Sequence, residues 1–225
     1  MRRSTPRCLG LLAVLLAAAP ASAALRSPQV PVSGTALATF FATQSQTINP
    51  NTDQVDLQSL SVDVGAQLPL HTFVDAAASV GFYNAGLASP PLYLVYPGAA
   101  TTGWFGVAAF RSSPDRLVVN LFDANATLQG TMSYLAGPPD RTNFAIYVTD
   151  GAGPFYQQDA RNEGGASRIL AYNGTGLRAG SLWLACETGA GPGGDFADVV
   201  VLLQLASLPV AVEHSSWGAL KRRFR

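Results

Sequence analysis

Between Glu187 and Leu205 the chain reads ETGAGPGGDFADVVVLLQL. Glu187, Asp195 and Asp198 stand around a glycine-rich loop that runs into an apolar stretch. Glycines let main-chain carbonyls turn inward beside carboxylates, and this is the donor set of a hard cation such as Ca2+. Calcium takes about six to eight oxygens, so the three carboxylates would need Thr188 or loop carbonyls as further donors. Asp195 and Asp198 have opposite parity, so a regular strand would aim them at opposite faces. They converge only if Asp195 is still in the loop or a bulge intervenes. The alternative role is mechanical: carboxylates accept hydrogen bonds from nearby amides and fix a tight turn at the mouth of a buried strand. Both readings stay open. Asp150, Asp159 and Glu163, with Asn162 as neutral donor, form a second acidic loop region, by default a solvated turn.

Enzyme chemistry finds few residues to stand on. The sequence has no Gly-x-Ser-x-Gly elbow, no His-x-x-x-His or Cys-x-x-Cys metal pair and no phosphate-cradling Gly-x-x-x-x-Gly-Lys. Glu163 and Glu187 are the formal pair for a two-carboxylate glycosidase, since spatial separation cannot be read from sequence. The expectation is a non-enzyme. Cys186 reads as a small buried apolar residue, and His71 has nothing that places it nearby. Trp104-Phe105, Phe155-Tyr156 and Tyr93 with Tyr96 can be read as a platform for sugar rings, but aromatics in strands more often belong to a core. The sequons Asn125-Ala126-Thr127 and Asn173-Gly174-Thr175 read as turns.

The elements that must position these residues are strands. Short β-rich runs recur between Gly, Pro, Asn and Asp, and no amphipathic helical period is sustained over three turns. Strands are predicted at Ala36–Thr43, Leu57–Val64, Ser79–Tyr83, Leu92–Tyr96, Trp104–Phe110, Arg116–Phe122, Leu128–Tyr134, Asn143–Thr149, Ile169–Tyr172, Ser181–Cys186 and Asp198–Leu205. That spacing points to an all-β fold, an antiparallel, jelly-roll-like β-sandwich. Phe144, Ile146 and Val148 alternate as on a half-buried strand. Val199 to Leu203 does not alternate, which predicts a central strand buried on both faces. The expected organisation is residues 24–78 as N-terminal strands packed on a main sandwich of 79–209.

The ends differ from this body. Arg2, Arg3 and Arg7, the apolar run Leu9–Ala19 and Ala21-Ser22-Ala23 read as a cleavable export signal over 1–23. The apolar run is short of the roughly 20 residues of a membrane span. Removing it leaves Cys186 as the only cysteine, hence no internal disulfide. Between Ala24 and Pro209 seven arginines and no lysine face thirteen acids, a net charge of minus six. An acidic body argues against nucleic acid as partner. The tail, 210–225, is basic, with Trp217, Leu220 and Phe224 on one helical face, and reads as a sorting tag or a solvated terminus.

From about Ser79 to Leu205 the chain resembles a family of exported bacterial β-domains known only as domain of unknown function 4114. The resemblance lies in Ser79-Val80-Gly81-Phe82-Tyr83-Asn84 and in Phe144 to Gly151. It continues through Pro154-Phe155-Tyr156, Asp159 to Asn162, Arg168 to Tyr172 and the ending Glu187, Asp195-Phe196-Ala197-Asp198-Val199-Val200. Thr188, Gly193 and Ala197 stand where the family's ending carries oxygen-bearing side chains. The resemblance implies an exported or surface-associated protein, suspected calcium binding and no established catalytic residues. The expected partner is a cell-surface or extracellular polymer; a secreted carbohydrate-active protein, lectin or hydrolase, is the rival.

Overall fold

The computed structural model describes residues 35–73, 78–98, 103–151, 153–189 and 194–204. The expected export signal, the basic tail and the middle of the glycine loop, including Gly193, lie outside the described residues.

The chain forms two antiparallel sheets packed face to face. Its elements are α1 (Thr35–Thr43), β1 (Gln54–Val55), β2 (Gln67–Phe73), β3 (Ser79–Asn84), β4 (Leu92–Tyr96), β5 (Phe105–Arg111), β6 (Arg116–Phe122), β7 (Leu128–Tyr134), β8 (Phe144–Thr149), β9 (Pro154–Tyr156), β10 (Ile169–Asn173), β11 (Ser181–Cys186) and β12 (Val199–Gln204). An eight-stranded sheet runs β1-β10-β11-β12-β2-β5-β6-β7, and a four-stranded sheet runs β4-β3-β8-β9. The all-β sandwich expectation is met. Nine of the eleven predicted strands are present with ends within one residue.

Alternation explains the main core. Leu117, Val119 and Leu121 of β6 and Leu68 and Leu70 of β2 point inward, and meet Val80, Phe82, Phe144, Ile146 and Val148 of the smaller sheet. β8 departs from the half-buried expectation, because Ala145 and Tyr147 on its other face are also buried, against Tyr83 and Tyr156.

Two predicted strands are corrected. Ala36–Thr43 lies in helix α1. Leu37, Phe40 and Phe41 recur at helical spacing and press one face onto Trp183, Tyr172 and Phe73 on the outer face of the large sheet. Nine residues are too few to show three turns of period. Leu57–Val64 forms no strand; it makes one bridge, Leu60 to Phe144, and Val62 N–H donates to Arg141 O at 2.8 Å. The strand in this region is β2, in which Pro69 interrupts the run of residues that favour a strand. β2 lies between β12 and β5, so residues before Ser79 supply an internal strand of the large sheet.

Helix α1 also explains the strand without alternation. Val199, Val201 and Leu203 of β12 face the smaller sheet, and Val200 and Leu202 face α1. The prediction of a central strand buried on both faces holds, with β11 and β2 as its neighbours. Among the described residues no helix is long and apolar enough to cross a membrane.

Candidate functional site

The acid box sits at the mouth of the β11–β12 hairpin. Cys186 pairs with Val199, so the next rung outward sets Glu187 across from Asp198. Like charges directly opposite destabilise a sheet, and the loop between them is built to hold this pair. Glu187, Asp195 and Asp198 each bring a carboxylate oxygen within 4.8 Å of the others. Among the described residues this is the one group of three or more such side chains, and Asp150, Asp159 and Glu163 do not join it.

Phe196 resolves the parity problem. β12 begins only at Val199, so Asp195 and Asp198 both precede the regular strand. Phe196 has φ +54°, the left-handed region that bulky residues rarely enter. This turnover brings Asp195 round to the side of Asp198. Phe196 is buried in the apolar cluster that also holds Val200, Trp183 and Leu37 of α1, and that burial offsets the backbone cost.

Each carboxylate also organises the turn. Glu187 is only 8% exposed. Its Oε1 accepts from Gly189 N–H at 2.9 Å and its Oε2 from Phe196 N–H at 3.3 Å, so one side chain ties the entry of the loop to its exit. Asp198 Oδ2 accepts from the Thr188 amide at 2.9 Å and its hydroxyl at 3.2 Å. Asp195 Oδ1 accepts from Ala197 N–H at 3.0 Å. Arg168 closes the outside, with Nη1 donating to Gly189 O at 2.6 Å and its guanidinium 5.3 Å from the Phe155 ring centre. A Cβ at Gly194 would overlap the Glu187 carboxylate, so a larger residue there would displace it from its two amides.

The two opposed acids divide their protonation. Burial, then the adjacent Asp198 carboxyl, pushes Glu187 above the usual glutamate range, against the pull of the Gly189 and Phe196 amides. Burial also acts upward on Asp198, but hydrogen bonds from Thr188 and Glu187 outweigh it and hold Asp198 below the usual aspartate range. The arrangement therefore shares a proton at low pH and carries uncompensated negative charge once Glu187 ionises. Its three converging carboxylate oxygens are a hard-cation donor set, fewer than the roughly six to eight oxygens that calcium takes. Thr188 serves the box as a donor to Asp198.

Other sequence candidates are occupied elsewhere. Asn162 Oδ1 accepts from Tyr156 N–H, and its Nδ2 donates to Tyr156 O and Ala166 O, so it staples its own loop. Tyr93 and Tyr96 are buried and Trp104 packs against the core. Phe105 stacks between His71 and Phe122 at 4.9 and 5.1 Å, which turns ring edges, not faces, outward. Phe155 lies against Arg168 and Tyr156 against Tyr83. No shared sugar platform is assembled from these rings. Cys186 is fully buried, and burial followed by Asp198 pushes its thiol far up, which makes it inert as a nucleophile. His71 sits in β2 across from Leu202.

Sequence reasoning missed Arg168 and Phe196 as parts of this site. Arg168 immediately precedes β10, and its carbonyl accepts from Glu187 N–H at 2.9 Å; only the β10–β11 register reveals that neighbour. The aromatic beside the acids was visible, but not the helix that would bury it. In sequence the chain matches no family model and no curated protein.

Proposed function

We propose that this is an exported, non-enzymatic β-sandwich protein of the cell surface or extracellular material, steadied by calcium at Glu187, Asp195 and Asp198. The observation that carries the metal part is the convergence of three carboxylates from both arms of one hairpin. Export rests on the basic and apolar N-terminal pattern, and the surface role on the resemblance of the strand succession and its acidic ending. Calcium would replace the shared proton, cancel the repulsion between Glu187 and Asp198 and lock the loop. The residues' own part is to bind the ion and hold the turn.

Melting in millimolar calcium against excess chelator tests this. A site with a Kd near 1 mM gives about 1.4 kcal/mol at 10 mM calcium, a rise of several degrees in Tm for a domain of this size. Identical melting in the two conditions overturns the metal part.

The pH dependence follows from the same groups. Glu187 is raised, so its contribution to metal-free stability is complete below the ordinary value of 4.5 and is lost as pH rises through its higher folded value. Asp198 is lowered, so its contribution is present above 3.8 and is lost as pH falls through its lower folded value. Calcium binds the ionised box. The calcium-induced rise in Tm is therefore expected to grow as pH climbs above 4.5 and to vanish below it. Melts at a series of pH values, each with and without calcium, check the sign; a calcium effect independent of pH would place the ion elsewhere.

A further inference from the structure

A second constellation lies away from the acid box, in a cleft of about 340 Å³ at the end of the β5–β6 hairpin. Arg111 and Arg116 are cross-strand partners in that hairpin, and both line the cleft together with Arg141. Three of the six arginines among the described residues thus meet in one recess of a body whose net charge is minus six. Like charges directly opposite on antiparallel strands are destabilising, and a shorter or neutral residue would serve the hairpin better. Arg161 shows how this fold holds a structural arginine: it donates to Ala85 O and Ala88 O and lies over the Tyr83 ring. Arg141 is partly tied in this way, through Nη1 to Val62 O at 3.1 Å. Arg111 is exposed and Arg116 half-buried, and their guanidinium forks are the geometry that pairs with a planar oxyanion.

The rest of the lining narrows the ligand. Asp115 and Asp140 supply acceptors beside the arginines. Asp140 Oδ1 is engaged by the Thr142 amide at 2.9 Å and hydroxyl at 2.7 Å, which fixes the carboxylate and leaves Oδ2 for another donor. Half-buried Pro138 adds apolar surface, and Phe110 and Pro139 are buried beneath it. An inorganic anion such as phosphate has at most one or two O–H donors for the carboxylates and nothing to set against Pro138. A ligand with a carboxylate, several hydroxyls and apolar C–H faces uses all three.

We propose that this cleft binds a carboxylated sugar, with Arg111 and Arg116 on the carboxylate, Asp115 and Asp140 on hydroxyls, and Pro138 against the ring. The size suits one or two sugar units, at the small end of ligand pockets. The proposal is independent of calcium at the hairpin mouth and does not rest on the site described above.

Amide-resolved NMR titration of the full chain with glucuronate, glucose and inorganic phosphate tests it. Glucuronate is expected to shift the amides around Phe110, Arg116 and Thr142 saturably, whereas glucose shifts them little. Phosphate is expected to bind more weakly than glucuronate. The R111Q/R116Q double variant is expected to weaken glucuronate binding at least about tenfold while its Tm stays level or rises, since an Arg–Arg opposition is removed. No saturable shift with glucuronate overturns the proposal. Equal response to glucose, or phosphate binding as tight as glucuronate, overturns the assignment to a sugar acid. If the double variant lost its fold, single R111Q and R116Q variants would carry the same comparison, and unchanged glucuronate affinity in both would sink the arginine role.

Discussion

Trp183→Ala is expected to cost about 3–5 kcal/mol, a large share of the roughly 5–15 kcal/mol that holds a domain folded. Trp183 is fully buried, packed on Phe40 at 5.7 Å, Phe73 at 5.4 Å and Phe41 at 6.0 Å between ring centres. Its Nε1–H donates to Gln46 Oε1 at 3.2 Å. The indole is where α1 is fastened to the large sheet, so its loss opens a cavity between two layers. Denaturant unfolding should show a lower midpoint with little change in slope. Trp183→Phe should lose less, because Gln46 Oε1 keeps the Thr175 amide at 2.8 Å. The alanine change should also reach the acid box: Phe196 belongs to the same cluster, and its left-handed turn depends on that ring staying buried. A weaker calcium response in Trp183→Ala, measured well below its own melting range, is the expected sign of this coupling.

Glu187→Ala is expected to cost about 2 kcal/mol and to abolish the calcium-dependent rise in Tm. Two amides, Gly189 and Phe196, lose their acceptor at once, and each orphaned amide costs about 1–3 kcal/mol when shielded from water. Relief of the opposition with Asp198 offsets part of that sum. Asp195→Ala separates the two roles. It removes a single turn hydrogen bond, to Ala197, so its stability should change by less than about 1 kcal/mol while the calcium response still falls. Paired melts of wild type and both variants, with calcium and with chelator, read both effects. A full calcium response in Glu187→Ala would move the ion off this hairpin.

The parts of the fold that the sequence disclosed are those where alternation or its absence is written in consecutive residues. β6 shows its buried face in Leu117, Val119 and Leu121, and β12 shows double burial in Val199 to Leu203. What could not be seen is what covers the second face of β12. Helix α1 is nine residues of Thr, Ala, Leu and Phe, a composition equally at home in a strand, and it is helical because Leu37, Phe40 and Phe41 find a flat apolar sheet to lie on. Pro69 obscures β2 in the sequence, and it is tolerated because the ladder with β12 ends at Leu70, one residue short of it. At the site, the three acids were legible as types and spacing. Their convergence was not, because it depends on a positive φ at Phe196 paid for by tertiary burial. The Arg111–Arg116 opposition could not be read either, since it requires the hairpin register.

The pairing of β2 with β12 joins Leu70 to Leu203, residues near opposite ends of the described chain. A protein made from its N-terminus therefore cannot join the two halves of its large sheet until β12, the last strand among the described residues, is available. Before that moment β2 and β11 each offer a bare edge, and α1 lacks the Val200 and Leu202 floor on which it rests. Removing β12 should thus not trim the sandwich but split it, releasing α1 and the β1-β10-β11 group together.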